Sequence, residues 1–123
     1  MHPFRRAVEA GDLDAALALT SDDVVFKSPV VFTPYVGREP LRQILTAVVE
    51  VFEDFRYVRE IGADDAADHA LVFEARVGDK RLEGCDFIRR DADGMITELT
   101  VMVRPMSAML VLAEAMKARL AST

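Results

Sequence analysis

The sequence predicts an α+β fold with helices at the start, a run of antiparallel strands through the second half and a helix at the end. Three observations predict it. Residues 3–19 and 38–52 carry apolar positions at helical spacing, residues 55–104 have strand character between turn signals, and the stretch after Pro105 is again helical and apolar. With 123 residues, 51 % of them apolar, the chain is expected to form one domain over residues 1–123 whose core needs neither disulfide nor metal.

Pro3 to Ala10 places Phe4, Ala7 and Val8 on one helical face and stops at Gly11, a residue suited to the left-handed position after a helix. Asp12 is the expected cap of a second short helix, striped by Leu13, Ala16 and Leu17. Thr20-Ser21-Asp22-Asp23 reads as a polar stop, and Val24-Val25-Phe26 as the first strand. Two prolines bar Pro29–Val36 from the middle of a sheet, so this segment is expected to be a loop crossing the domain and ending at Gly37. From Arg38 onward Leu41, Ile44, Leu45, Val48 and Phe52 follow the spacing of a helix with one buried face. Pro40 falls in its first turn, where a missing N–H costs nothing.

Turn signals at Asp64–Asp68, Gly78-Asp79 and Asp91–Gly94 divide Phe55–Arg104 into four strands joined by hairpins. Leu71, Phe73, Ala75 and Val77 alternate with Val72, Glu74 and Arg76, and Leu99, Val101 and Val103 alternate with Glu98, Thr100, Met102 and Arg104. One face of the sheet is therefore oily and the other mixed. Pro105 ends the sheet and Ser107 can cap the closing helix. That helix is lined by Met109, Leu112, Met116 and Leu120, and it should pack on the sheet or on a second subunit.

Charge and motifs exclude several function classes. Fifteen basic residues against 21 acidic ones leave a net charge of −6 with no Lys/Arg run to track a phosphate backbone, so nucleic acid is not an expected partner. The longest apolar run, Ala108–Ala113, is far short of the about 20 residues of a membrane span, and no membrane partner is expected. Lone Cys85 forms no internal disulfide, and the N-terminus lacks the apolar stretch of a signal peptide, which together imply the cytoplasm. Six isolated glycines form neither a dinucleotide fingerprint nor a P-loop, so no cofactor is indicated. His2 and His69, distant in sequence and without neighbouring ligands, give no expected metal site.

Helix, helix, short strand, Pro-rich loop, helix and four-strand meander form an order that resembles the NTF2-like superfamily. The wording of Glu9–Ala16, Asp22–Phe26, Gly37-Arg38-Glu39 and Asp86–Ile96 is similar to its SnoaL-like branch. The resemblance covers residues 3–104 and implies a cone: a strongly curved, mostly antiparallel sheet wrapped around the N-terminal helices, plus a C-terminal helix. It also implies one of several activities, since ketosteroid isomerases, polyketide cyclases, epoxide hydrolases, dehydratases and non-catalytic binding modules share the fold. Matched residue by residue to the isomerases, the general-base position holds Ser28 and the oxyanion-tyrosine position holds Phe4. The buried acid is kept as Asp86. Against the epoxide hydrolases only Arg76 is kept, with Gly78 and Val101 at the two Asp positions. Polyketide cyclases also use a buried acid in this half of the sheet, with which Asp86 is compatible.

Asp86 is the candidate catalytic residue. The alternation of Leu82, Gly84, Asp86 and Ile88 puts its carboxyl on the oily face, where burial without a cation raises its pKa and lets a protonated acid donate to a carbonyl or enolate. The competing reading ties Asp86 into an internal hydrogen-bond network with no ligand. Phe4, Phe26, Ser28, Tyr35, Phe73, Leu99, Val101 and Val103 are the candidate pocket residues, each also readable as core, or in the case of Ser28 as the start of a turn. Two functions follow from the resemblance and these residues. One is a module that binds a small hydrophobic molecule, with Asp86 as its polar anchor; the other is a cofactor-independent cyclase, isomerase, dehydratase or hydrolase using Asp86 as acid or base. A homodimer through the mixed outer sheet face is expected in either case.

Overall fold

The structure is a computed structural model and describes residues 1–121. Helix α1 (Pro3–Glu9) opens with proline at its first position, and His2 caps it by accepting the Phe4 N–H on Nδ1 at 3.0 Å. It closes as the sequence predicts. Gly11, at φ 70°, donates to the Val8 carbonyl while Asp12 donates to that of Ala7, the paired bonds of a Schellman turn. Helix α2 (Leu13–Ala18) follows directly, with the Asp12 carboxylate accepting the Ala15 N–H at 3.0 Å.

Strand β1 (Thr20–Lys27) corrects the expected polar stop, because Thr20–Asp23 belong to the strand. Thr20 is buried, its hydroxyl donates to the Leu17 carbonyl at 2.7 Å and its backbone faces Ile96, so tertiary pairing overrides the polar composition. Ser21, Asp22 and Asp23 fall at a register shift between Thr20 and Val25, and the irregularity leaves the Asp22 and Asp23 carboxylates exposed while the Ser21 hydroxyl is buried. The Pro-rich loop ends in a two-residue strand, β2 (Tyr35–Val36), paired antiparallel with β1. Helix α3 (Arg38–Val51) buries Leu41, Ile44, Ala47 and Val51. Its first residue, Arg38, clamps β1 through the Thr20 carbonyl and an ion pair with Asp22 at 2.7 Å.

The meander is β3 (Glu53–Ile61), β4 (Asp68–Val77), β5 (Lys80–Arg90) and β6 (Ile96–Arg104), and the six strands lie in the order β2-β1-β6-β5-β4-β3. Only β1 and β6 pair in parallel. Burial alternates residue by residue along β4, with His69, Leu71, Phe73, Ala75 and Val77 inward. The closing helix α4 (Met106–Ala121) starts at Pro105, whose carbonyl accepts the Met109 N–H, so Ser107 lies inside the first turn and is not the cap. Ala108 and Leu112 bury themselves, and α4 packs on α3 and across β4, β5 and β6, with Arg119 bonded to Glu50 of α3 at 2.7 Å. No helix among the described residues is long and apolar enough to cross a membrane.

Candidate functional site

Helices and sheet do not close on each other completely; a cavity of about 710 Å³ remains between them. Its walls include Phe4 and Val8 of α1, Ile44, Leu45 and Val48 of α3, and Leu112 and Met116 of α4. From the sheet come Phe26, Phe73, Leu99, Val101 and Val103, while Ser28 and Tyr35 stand where the Pro-rich loop borders it. The walls are apolar because each strand presents its inward alternate to the same space.

Asp86 lines this cavity and is 7 % exposed. The hydroxyl of Tyr57 donates to its Oδ2 at 2.7 Å. Burial pushes the Asp86 carboxyl up to about 7, and the bond from Tyr57 draws it partly back. The same burial, with the carboxylate beside it, drives the Tyr57 phenol far above its ordinary range, so Tyr57 is a donor at every accessible pH. Together they form a short-range pair in which one partner keeps its proton and the other exchanges it near neutrality.

Tyr57 was not among the residues singled out from the sequence. Its signal was present in the alternation of Phe55 and Tyr57, which places both on the face of Phe73 directly opposite on β4. The rings of Phe52, Phe55, Tyr57 and Phe73 form one cluster with neighbouring centroids 5.0–6.3 Å apart, and the Arg5 guanidinium lies 5.9 Å from the Tyr57 ring centre. Phe4, at the tyrosine position of the isomerase match, lines the cavity with a bare ring, and the phenol beside Asp86 comes from β3. Ser28 accepts the N–H groups of Val30 and Val31 on its own Oγ, at 2.9 and 3.4 Å, which is the turn geometry of a Ser-Pro step.

The two histidines, distant in sequence, are brought edge to face with ring centres 4.7 Å apart, both buried. Because His2 Nδ1 accepts from Phe4, its Nε2 carries the hydrogen; His69 donates from Nε2 to the Ala63 carbonyl at 2.7 Å, which leaves Nδ1 as the acceptor. With Nδ1 accepting from Phe4, the neutral His2 ring has no second lone pair for a metal ion. Burial, and then the neighbouring His69, hold His2 down to about 4. Among the described residues no three His, Cys, Asp or Glu side chains cluster to hold a metal ion.

On the opposite face, charges pair across strands: Arg104 with Glu83, Arg89 with Asp68 and Glu98, Arg56 with Glu74, and Arg76 with Glu53 and Asp54. Between these rows lie Val72, Cys85, Phe87 and Met102, of which Phe87 is 44 % and Met102 59 % exposed.

Comparison with known proteins agrees with this architecture. A model of the SnoaL-like domain matches residues 2–99. A steroid delta-isomerase from Pseudomonas aeruginosa is 44 % identical, with 95 % of this chain and 85 % of that chain covered and a TM-score of 0.89. A bacterial protein with a cystatin-like fold from Silicibacter pomeroyi is 35 % identical over 97 % of this chain and 86 % of its own, with a TM-score of 0.88. An NTF-2 like protein of unknown function from Burkholderia xenovorans, 17 % identical over 82 % of this chain and 77 % of its own, shares the fold at a TM-score of 0.69. No curated protein matches the chain by sequence.

Proposed function

We propose, from the premise that this chain belongs to the SnoaL-like domain family, that it binds a small hydrophobic molecule in the cavity and anchors the ligand's one oxygen on Asp86. The observation that carries this reading is the hydrogen-bonded pair of Tyr57 and Asp86, set on the sheet wall among Phe4, Phe73, Val101 and Val103 in a mostly apolar cavity of about 710 Å³ whose other polar residues are Asp12, Ser28, Tyr35, Glu114 and Lys117. An apolar ligand gains by leaving water, and its carbonyl keeps a hydrogen bond by accepting from the protonated Asp86. Tyr57 occupies one carboxyl oxygen, which leaves the other for the ligand.

The test is a calorimetric titration with 1-decalone, a neutral two-ring ketone, at pH 6 and pH 8. Affinity should fall about tenfold between the two, because the donating form of Asp86 is depleted once pH passes about 7. Absence of binding at both pH values, or binding indifferent to pH, overturns the reading.

A second reading, a cofactor-independent cyclase, isomerase, dehydratase or hydrolase, is favoured by the proton that Asp86 exchanges near neutral pH and by the isomerase that is 44 % identical. Exchange of the ketone's α-hydrogens in D2O, faster with wild type than with Asp86→Asn, separates turnover from binding.

The outer face fits a second copy of the chain. Its apolar band of Val72, Cys85, Phe87 and Met102, bordered by charged rows, has the layout of a sheet-to-sheet interface. Phe87→Asp is expected to convert a dimer to a monomer in sedimentation velocity; an unchanged sedimentation coefficient removes this face as the contact.

A further inference from the structure

Gly84 stands directly opposite Phe73 in the β4–β5 register and faces the same side of the sheet as Leu82 and Asp86. A β-carbon at residue 84 would lie 2.2 Å from Cζ of Phe73 and 2.6 and 2.7 Å from its two ε carbons. The far end of the Phe73 ring thus occupies the space that any side chain at residue 84 would fill, one strand position pair away from Asp86. The glycine is not there for backbone conformation, since its φ is not in the left-handed region.

The ring has little freedom to go elsewhere. Phe55 lies 5.0 Å away, Phe52 5.7 Å and Tyr57 6.3 Å, centre to centre, and the sheet is beneath. Its open side is the cavity that it helps to line. A methyl at residue 84 would require the ring to retreat by about 1 Å or more to regain ordinary contact, and the retreat is into the space beside the Tyr57–Asp86 pair.

We propose that Gly84, which does not itself line the cavity, determines the size of ligand that reaches Asp86, by letting Phe73 lie down on the sheet and so leaving width for more than a single ring. This inference rests on the binding reading above. A glycine in this role acts as a seat for the aromatic wall, and its substitution should discriminate ligands by width more than by polarity.

The experiment titrates cyclohexanone and 1-decalone into wild type, Gly84→Ala and the double variant Gly84→Ala/Phe73→Leu at pH 6. For Gly84→Ala the affinity for 1-decalone should drop about tenfold or more while that for cyclohexanone changes less than about threefold. Shortening the ring in the double variant should restore a large part of the 1-decalone affinity, and it also relieves the clash if Gly84→Ala alone fails to fold. Equal loss of both ketones, unchanged 1-decalone binding in Gly84→Ala, or no recovery in the double variant overturns the role of Gly84 while the cavity reading stands. Failure of wild type to bind either ketone overturns both.

Discussion

Asp86→Asn should make the protein more stable than wild type at pH 8, by on the order of 2–4 kcal/mol, with the difference shrinking toward zero near pH 4. The native carboxyl sits at about 7 against an ordinary value of 3.8. Between those values the folded chain keeps a proton that the unfolded chain releases, so the contribution of Asp86 to stability is whole below about pH 4 and is lost as pH rises through about 7. Asparagine is close in size, never ionises and can still accept from Tyr57, so it escapes that loss. His2 pulls the other way: held at about 4 against 6.5, it binds less proton folded than unfolded, and its contribution fades as pH falls across the same range. A pH–stability curve of wild type alone mixes the two, whereas the difference between wild type and Asp86→Asn cancels His2. Urea unfolding of both proteins at pH 4.5 and pH 8 measures it. A difference that is the same at both pH values would show that Asp86 is not carrying a buried charge. Greater stability together with loss of the pH dependence of ketone binding is the signature of a residue kept for its chemistry rather than for the fold.

Tyr57→Phe should destabilise the protein in the opposite pH pattern. Removal of the hydroxyl leaves the Asp86 carboxyl without its 2.7 Å donor inside an apolar wall. The loss is about 1 kcal/mol where Asp86 is neutral and about 2–3 kcal/mol at pH 8, where the bond lost is to a charged acceptor. Because the bond from Tyr57 lowers the Asp86 pKa, its removal should also move the midpoint of pH-dependent ketone binding above about 7. Denaturant unfolding of wild type, the two single variants and the double variant closes a thermodynamic cycle. A coupling energy near zero between residues 57 and 86 would mean that the two side chains do not act as a pair.

Much of the frame was legible in the chain itself. The period-two alternation of Leu71–Val77 and of Leu82–Ile88 identified the inward face, and with it the odd carboxyl at Asp86, because strand geometry sends alternate side chains to opposite sides. Gly11, Asp12 and Pro3 marked helix ends through local hydrogen bonding that needs no distant partner. Where local composition competed with a remote partner it misled. Thr20–Asp23 are polar enough to end an element, yet pairing of Thr20 with Ile96 draws them into β1.

The sequence by itself determined the α+β order, the inward face of the sheet and the presence of one acid on it, since all three depend on neighbours within a few positions. Only the tertiary structure decided what that acid touches. Tyr57 and Asp86 stand on β3 and β5 with β4 between them, a separation of about 10 Å in a flat sheet. They meet at 2.7 Å because the long phenol reaches across β4 to the carboxyl, and alternation along one strand does not say which side chain two strands away it will reach. The same holds for His2 against His69, a contact between segments whose spacing along the chain says nothing of their distance in space, whereas Gly84 faces Phe73 across the hairpin that Gly78-Asp79 announces and only the lie of the ring over the glycine is a tertiary matter.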